Sequence, residues 1–254
     1  MQTAERVSDV DKSDNFVYQR SKLAYLEAAK RVQGKVLEVG SGMGYGMEIL
    51  SPGCEEYVML DKFQFDLSRI KDPQKVKFIQ TNVPPFTGIA DNTFDFVVTF
   101  QVIEHIKPDK EFVKEIHRVL KPGGQLIVTT PNKKMSLSRN PWHIREYKVE
   151  QLRDLLKASF STVDTKGVFA GKAAMDYYEK NKESVNKIMR FDIFKMQWWL
   201  PRQILQIPYD YMNRRNRKKL LTQNNSLTET LSTSDFFIAD ANDECLDLFY
   251  IATK

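Results

Sequence analysis

The segment Lys35-Val36-Leu37-Glu38-Val39-Gly40-Ser41-Gly42-Met43-Gly44-Tyr45-Gly46 passes from an apolar run into four glycines at alternate positions. This pattern predicts a strand over Lys35–Val39, a loop, and a helix that begins near Tyr45. Glycine has no Cβ and tolerates a positive φ, so a ligand can approach the backbone of such a loop closely. The first turn of the helix adds unpaired N–H groups. The sequence therefore predicts a site for a nucleotide-like cofactor.

Two classes of cofactor use a loop of this kind. The dinucleotide fingerprint G-x-G-x-x-G requires a third glycine where this chain has Tyr45, counting from Gly40, or Met47, counting from Gly42. The loop is also preceded by Glu38, whose carboxylate would repel a pyrophosphate but can accept hydrogen bonds from an ammonium group. S-adenosylmethionine carries an ammonium and a sulfonium and no phosphate. The electrostatics therefore favour S-adenosylmethionine over NAD.

Length and composition set the class of protein. The 254 residues fit one α/β domain with an insertion as well as they fit two small domains. No apolar run approaches the ~18 residues of a membrane span, and the N-terminal residues lack the apolar core of a signal peptide, so we expect a cytoplasmic protein. The two cysteines and the three histidines are scattered along the chain. Their spacing predicts free thiols and no metal site.

Strand-like and helix-like segments alternate along most of the chain. This alternation predicts an α/β fold of the Rossmann-like type, a mostly parallel sheet with helices on both faces. The Phe94–Phe100 run is apolar at nearly every position, as a buried parallel strand should be. We predict seven strands, at Lys35–Val39, Glu56–Asp61, Val76–Gln80, Phe94–Phe100, Gln125–Thr130, Ser161–Phe169 and Cys245–Thr253.

A helical stretch interrupts this alternation before the last strand. Residues 171–235 are helical in pattern, and Pro201 and Pro208 interrupt that pattern. The pattern predicts an inserted helical cap on the substrate side. Residues 1–170 and 236–254 would then form the cofactor-binding domain. Lys172–Leu221 contains twelve Lys and Arg against five Asp and Glu, whereas the whole chain has a net charge of +5. The basic character therefore belongs to the cap.

Five segments in a fixed order resemble the class I S-adenosylmethionine-dependent methyltransferases, and in particular the small-molecule branch that includes the quinone-biosynthesis O-methyltransferases. They are Val36–Gly44, Met59-Leu60-Asp61, Phe94-Asp95-Phe96-Val97-Val98, Gln101-Val102-Ile103-Glu104-His105-Ile106 and Leu120-Lys121-Pro122-Gly123-Gly124. The resemblance covers residues 15–170 and the last strand.

The resemblance implies a set of cofactor contacts. Glu38 and the glycine loop would hold the methionine portion of the cofactor, and Asp61 would accept both ribose hydroxyls. Asn82 stands where the family commonly has an aspartate that receives the adenine amino group, and its side-chain carbonyl can accept the same bond. The predicted cofactor-binding residues are Glu38, Gly40, Ser41, Gly42, Gly44, Asp61, Lys62, Asn82, Val83, Phe100 and Gln101.

Methyl transfer is an in-line displacement at the carbon on the sulfonium, so the protein supplies alignment and, for a hydroxyl acceptor, a base. His105 is the first candidate for that base and His143 is the second. His143 lies in a polar and aromatic loop after the fifth strand, where Arg145 and Tyr147 could contact an acceptor. Asn82-Val83-Pro84-Pro85-Phe86 looks like the Asn-Pro-Pro-Tyr/Phe motif of enzymes that methylate planar amines, but it follows the third strand, whereas that motif follows the fourth. Methylation of amino groups on DNA bases is therefore disfavoured.

The cap leaves the identity of the acceptor open. The basic run Arg214-Arg215-Asn216-Arg217-Lys218-Lys219 could bind RNA phosphates, although the chain has no recognisable RNA-binding module. Trp198 and Trp199, followed by this basic run, could lie on a membrane surface and admit a lipid-linked acceptor. We favour methylation of a small-molecule acceptor, on oxygen. The alternatives are an RNA methyltransferase and a non-catalytic protein that binds S-adenosylmethionine.

Overall fold

The computed structural model describes residues 7, 11–190, 192, 196–223 and 225–254. Within them, eight strands form one sheet. The strands are β1 (Lys35–Val39), β2 (Glu56–Asp61), β3 (Val76–Gln80), β4 (Phe94–Phe100), β5 (Leu120–Pro131), β6 (Thr162–Ala170), β7 (Phe236–Asp240) and β8 (Asp247–Thr253). The helices are α1 (Asn15–Ala29), α2 (Tyr45–Leu50), α3 (Asp109–Val119), α4 (Val149–Lys157), α5 (Lys172–Met189), α6 (Met196–Trp199), α7 (Arg202–Gln223) and α8 (Asn225–Thr230).

The strand order is β3-β2-β1-β4-β5-β8-β6-β7. The first five strands pair in parallel, whereas β8 runs antiparallel to both β5 and β6, and β7 runs antiparallel to β6. The carboxyl ends of β1, β2, β4 and β5 therefore meet at one edge of the sheet. In an open α/β sheet that edge is where ligands bind.

Two apolar cores cover the two faces of the sheet. Successive residues of β1 alternate between them: Val36 belongs to one core and Leu37 to the other, and both are fully buried. Helices α1, α2 and α5 contribute to the first core, and helices α3 and α4 contribute to the second. Burial on both faces explains why β1 is apolar at three of its five positions and β4 at five of its seven.

The number of strands and the place of the insertion differ from the prediction. The sequence predicts seven strands and a cap directly before the last one, but helices α5 to α8 lie between β6 and β7, and two strands follow them. The missed strand β7 has five residues and lies at the edge of the sheet. An edge strand has one neighbour and one exposed side, so its apolar pattern is weak, and Phe237 within it is exposed.

The helical insertion is attached to the N-terminal part of the chain by buried charges. Asp14 is fully buried and accepts hydrogen bonds from Arg214 (2.8 Å) and Arg217 (2.7 Å) of α7. Asn216 of α7 hydrogen-bonds to Asn181 and Ser184 of α5. Two of the residues in the basic run therefore hold the fold together. None of the helices in the described part of the chain is long and apolar enough to cross a membrane.

Candidate active site

The glycine loop follows β1 at the carboxyl edge of the sheet. Gly40, Gly42 and Gly44 have φ values of 81°, 55° and 74°. A Cβ on Gly40 would lie 2.2 Å from Cγ2 of Val102, and one on Gly44 would lie 2.3 Å from the Phe65 ring. A Cβ on Gly42 would meet nothing within 4 Å. Two of the glycines are therefore required by packing, and the third leaves its backbone open to a ligand.

The loop is tied to the end of the neighbouring strand β2. The backbone N–H of Gly42 donates to Oδ2 of Asp61 (2.8 Å), and the N–H of Phe63 donates to Oδ1 (2.8 Å). Each carboxylate oxygen keeps a further lone pair that can accept a hydroxyl. Ser41 Oγ is buried and has no hydrogen-bond partner among the described residues. An open backbone, an acceptor carboxylate and a buried polar atom without a partner fit a polar ligand at this loop.

Glu38 lies beneath the loop and is buried. Its two oxygens accept hydrogen bonds from the hydroxyl groups of Tyr25 and Tyr57, both at 2.7 Å. Burial raises the pKa of this carboxyl, and the two tyrosine hydroxyls oppose that rise. The side chain therefore joins α1, β1 and β2 under the loop. Its contact with the ammonium of a cofactor stays a prediction.

The other predicted cofactor residues lie at the ends of β2, β3 and β4. Lys62 is exposed, with Nζ 4.9 Å from the centre of the Phe63 ring, and Asn82 is also exposed. Val83, which follows Asn82, is half-buried. The backbone N–H of Thr81 donates to the carbonyl of Asp61, which brings the end of β3 beside the end of β2.

The end of β4 carries Phe100 and Gln101. The buried Phe100 ring lies edge-on to Tyr25, with 4.7 Å between the ring centres. Gln101 has a φ of 58°, which is uncommon for a residue other than glycine, and its Nε2 donates to Thr129 Oγ1 of β5. Both residues thus lie at the carboxyl edge of the sheet, next to the start of the glycine loop.

The structure brings together the two predicted catalytic histidines. The rings of His105 and His143 lie edge to face with their centres 5.0 Å apart, although the residues are far apart in sequence. The buried carboxylate of Glu104 completes the group: one ligand atom from each of Glu104, His105 and His143 lies within 4.8 Å of the others. We refer to these three residues as the histidine cluster. The sequence predicted no metal site, and that stays a prediction, although these three side chains form a candidate ligand set.

The strand order explains how the two histidines meet. His105 follows β4 and His143 follows β5, and these strands are neighbours in a parallel sheet. Residues after neighbouring parallel strands meet at the same edge, whatever their separation along the chain. Burial raises the pKa of Glu104, while the two histidines oppose that rise.

Arg145 and Tyr147 are both engaged by protein partners at the start of α3. Tyr147 is buried and donates its hydroxyl hydrogen to Asp109 Oδ2 (2.8 Å), and Arg145 also pairs with Asp109. Nη2 of Arg145 donates to the carbonyl of Lys107 (2.9 Å). Burial is the main cause of a raised pKa at Tyr147. The two side chains hold the loop after β5 against the start of α3, and their contact with the acceptor stays a prediction.

A cavity of about 720 Å³ lies between the helical insertion, α1 and the loop after β5. Most of its lining is apolar, and the sequence pattern gave no sign of it. His143 and Glu146 line part of it, so the histidine cluster contacts this space through His143. Its apolar lining includes Phe16, Met135, Leu137, Tyr177, Ile188 and Leu205.

Comparison with known proteins gives the family. The family described as "Methyltransferase domain" matches residues 37–128, which contain most of β1, all of β2 to β4 and the histidine-cluster residues Glu104 and His105. A probable S-adenosylmethionine-dependent methyltransferase of Mycolicibacterium smegmatis is 35% identical over 183 residues, 68% of this chain and 71% of that protein. The chain belongs to the S-adenosylmethionine-dependent methyltransferases. The predicted enzyme class and cofactor are confirmed, and the NAD alternative is excluded.

Two further similarities are more distant. The mitochondrial ubiquinone biosynthesis O-methyltransferase of Dictyostelium discoideum is 29% identical over 113 residues, which are 39% of this methyltransferase and 35% of that protein. A Thermotoga maritima methyltransferase, described as a possible histamine N-methyltransferase, has a TM-score of 0.55 and 17% identity over 94% of this chain and 92% of that chain. The second similarity concerns the fold alone.

Proposed function

We propose that this methyltransferase transfers the methyl group of S-adenosylmethionine to an oxygen atom of a small acceptor with an apolar body. The observation that carries the proposal is the cavity, whose lining surface is mainly apolar and whose polar side chains include His143, Glu146, Arg139 and Asn181. A site with an apolar lining and a few polar groups selects a ligand with an apolar body and one or two polar atoms. The similarity to a ubiquinone O-methyltransferase supports oxygen as the methylated atom.

The glycine loop and its neighbours would bind the cofactor, which supplies an activated methyl group on a sulfonium when bound. Asp61 has lone pairs left for two ribose hydroxyls, and the open backbone at Gly42 would face the methionine portion. Lys62, Asn82, Val83, Phe100 and Gln101 border the same edge of the sheet and would contact the rest of the cofactor. The acceptor hydroxyl would lose its proton at the histidine cluster.

The helical insertion would act as the substrate-side cap of a cofactor-binding domain formed by residues 1–170 and 236–254. It supplies much of the cavity wall: Tyr177 and Ile188 come from α5, and Leu205 and Met212 come from α7. A cap of this kind shields the transferring methyl group from water and defines the shape of the acceptor.

A membrane surface is the place where we expect this cap to collect its acceptor. Trp198 and Ile207 are 63% and 76% exposed, and Trp199 and Tyr211 are exposed as well. The exposed side chains of Met196, Ile204, Pro208 and Met212 also line the cavity. The cavity wall is thus continuous with an exposed apolar surface, and Arg215, Lys218 and Lys219 add exposed positive charge on the same helix. This combination suits a helix that lies on an anionic lipid surface.

RNA binding is less favoured by the structure. Arg214 and Arg217 are mostly buried and paired with Asp14, so they hold the insertion in place and do not form a basic surface. Only part of the basic run remains available to phosphates. The exposed apolar side chains next to it favour a lipid surface over a nucleic acid.

The oxygen acceptor is tested by incubating the enzyme with methyl-labelled S-adenosylmethionine and a lipid extract or a polar metabolite extract. We expect labelled, acid-stable methyl ethers in the lipid fraction. Label that enters amines, or RNA added in parallel, would contradict the proposal.

Flotation with vesicles of phosphatidylglycerol or phosphatidylcholine tests the proposed membrane surface. The Trp198→Ala/Trp199→Ala variant should lose binding to the anionic vesicles. Leu67→Ala, which removes an exposed apolar side chain elsewhere, is the control.

A further inference from the structure

We infer that the histidine cluster is a binding site for one divalent first-row transition-metal ion, held by Glu104, His105 and His143 and placed to bind the acceptor oxygen. The inference rests on the proposed function only for the identity of that oxygen. The binding of the metal itself follows from the geometry of the three side chains.

The first observation is the unpartnered oxygen of Glu104. This residue is 1% exposed, and Oε2 accepts a hydrogen bond from Thr130 Oγ1 (2.8 Å). Oε1 is buried and has no hydrogen-bond partner among the described residues. A buried carboxylate oxygen without a partner is costly unless something positive approaches it. A metal ion between Glu104 and the two imidazoles would satisfy this oxygen.

The second observation is the contact that each imidazole makes through Nδ1. In His105, Nδ1 lies 3.0 Å from the carbonyl oxygen of Trp142, which can only accept, so Nδ1 carries the hydrogen. In His143, Nδ1 lies 2.7 Å from Oε1 of Glu146. Metal-binding histidines almost always donate one ring N–H to a carbonyl or a carboxylate, which fixes the tautomer and directs the other nitrogen to the metal. Both histidines have this arrangement, so Nε2 is the metal-binding nitrogen in each.

A third contact shows what metal binding would displace. Nε2 of His143 accepts a hydrogen bond from the Asn140 side-chain nitrogen (2.9 Å), and the Asn140 oxygen accepts one from the backbone N–H of Trp142 (3.0 Å). The amide orientation is therefore set by the backbone, and His143 presents a lone pair at Nε2. A metal ion would take the place of the amide N–H as the partner of Nε2.

The ligand set defines the class of ion. Two imidazoles and one carboxylate suit Zn²⁺, Mn²⁺ and similar ions, whereas Mg²⁺ and Ca²⁺ prefer oxygen ligands throughout. Three protein ligands leave coordination positions open, as in catalytic metal sites. An acceptor hydroxyl bound at an open position would become more acidic.

The reaction then balances without another reactant. The hydroxyl releases its proton to solvent, the oxygen forms a bond to the methyl carbon, and the carbon–sulfur bond breaks. The electron pair of that bond stays on sulfur, which becomes a neutral thioether. The metal ion keeps its charge throughout, so the site needs no oxidant and no reductant.

Titration of the metal-stripped, full-length enzyme with Zn²⁺ alone and with Mn²⁺ alone, followed by calorimetry, tests the site. We expect one ion per chain, a loss of at least 100-fold in affinity in both His143→Ala and Glu104→Gln, and an affinity 10- to 100-fold lower in Glu146→Gln. His117→Ala is the matched control, because His117 lies outside the cluster beside Phe160, and it should bind metal as the parent does.

Affinity for S-adenosylmethionine, measured on each variant, shows whether the variant is folded. Binding of neither ion, or equal binding in the parent and His143→Ala, would overturn the metal site. Methyl transfer that survives chelation but is lost in His143→Ala would also overturn it while leaving the proposed function intact. Metal binding with no labelled ether product would instead contradict the proposed function and leave the metal site standing.

Discussion

The two halves of the sheet contribute to the enzyme in different ways. In the parallel half, β3-β2-β1-β4-β5, the glycine loop follows directly from β1 and Asp61 is the last residue of β2. In the antiparallel half, β8-β6-β7, a long helical insertion separates β6 from β7 and forms much of the cavity wall. We propose that the first half binds the cofactor and that the second half supplies much of the wall of the acceptor site.

The strongest test of the parallel half is Gly40→Val. A side chain at Gly40 would collide with Val102 and would adopt a φ of 81°, so we expect affinity for S-adenosylmethionine to fall at least 100-fold in calorimetry. Gly88→Val is the matched control, since Gly88 has a φ of 80° but open space around its Cβ position. Equal affinities in the two variants would show that the packing of the loop does not matter for the cofactor.

The attachment of the insertion to the rest of the fold is tested by Asp14→Asn. Removing this buried charge takes the carboxylate away from Arg214 and Arg217, and we expect a loss of about 3–5 kcal/mol in the free energy of unfolding. Urea denaturation measures the loss. The exposed pair Lys12–Glu229 provides the control, because Lys12→Ala should change stability by less than about 1 kcal/mol. A small effect of Asp14→Asn would show that the insertion is held mainly by apolar contacts.

The buried carboxylate beneath the glycine loop gives a dependence on pH. Because the pKa of Glu38 is raised in the folded state, the folded protein binds a proton more tightly than the unfolded chain does. This contribution is fully present below the unfolded pKa of 4.5 and is lost as pH rises through the higher folded pKa. Relative to Glu38→Gln, the parent should therefore lose stability as pH rises above 4.5.

Removal of a donor to Glu38 sharpens the same test. Tyr57→Phe takes away one hydrogen bond to the carboxylate, and we expect a loss of about 1–3 kcal/mol at pH 7 in chemical denaturation. The loss should shrink at low pH, where the carboxyl is protonated and interacts less strongly with a donor. A loss that is the same at pH 7 and at low pH would indicate that the protonation state of Glu38 does not change between them.

The smallest expected effect concerns the loop after β5. Tyr147→Phe removes the hydroxyl that donates to Asp109, and we expect a loss of about 0.5–1.5 kcal/mol in the free energy of unfolding. The KM for the acceptor should stay unchanged, because Tyr147 contacts α3 and does not line the cavity. A raised KM with unchanged stability would restore the role in acceptor binding that the sequence predicted for this residue.

Much of the parallel half could be predicted from residues alone. Val36 to Val39 and Phe94 to Phe100 are mostly apolar because both faces of the sheet are covered. The glycines after Val39 predict the loop. The sequence pattern did not predict the edge strand β7, because this strand is short and half exposed. The sequence predicted that Arg145 and Tyr147 contact the acceptor, because their side chains can bind a polar group. Their common partner, Asp109, could not be predicted, because it lies in a distant part of the chain.

The sequence by itself determined the α/β class, the glycine loop and the cofactor, because these depend on periodicity and on neighbours along the chain. Only the tertiary structure brought Glu104 and His105 to His143, buried Asp14 under two arginines of the basic run, and formed the cavity. Such features depend on which strands become neighbours and on how an insertion folds back. Those contacts join residues far apart in the chain, and no local pattern records them.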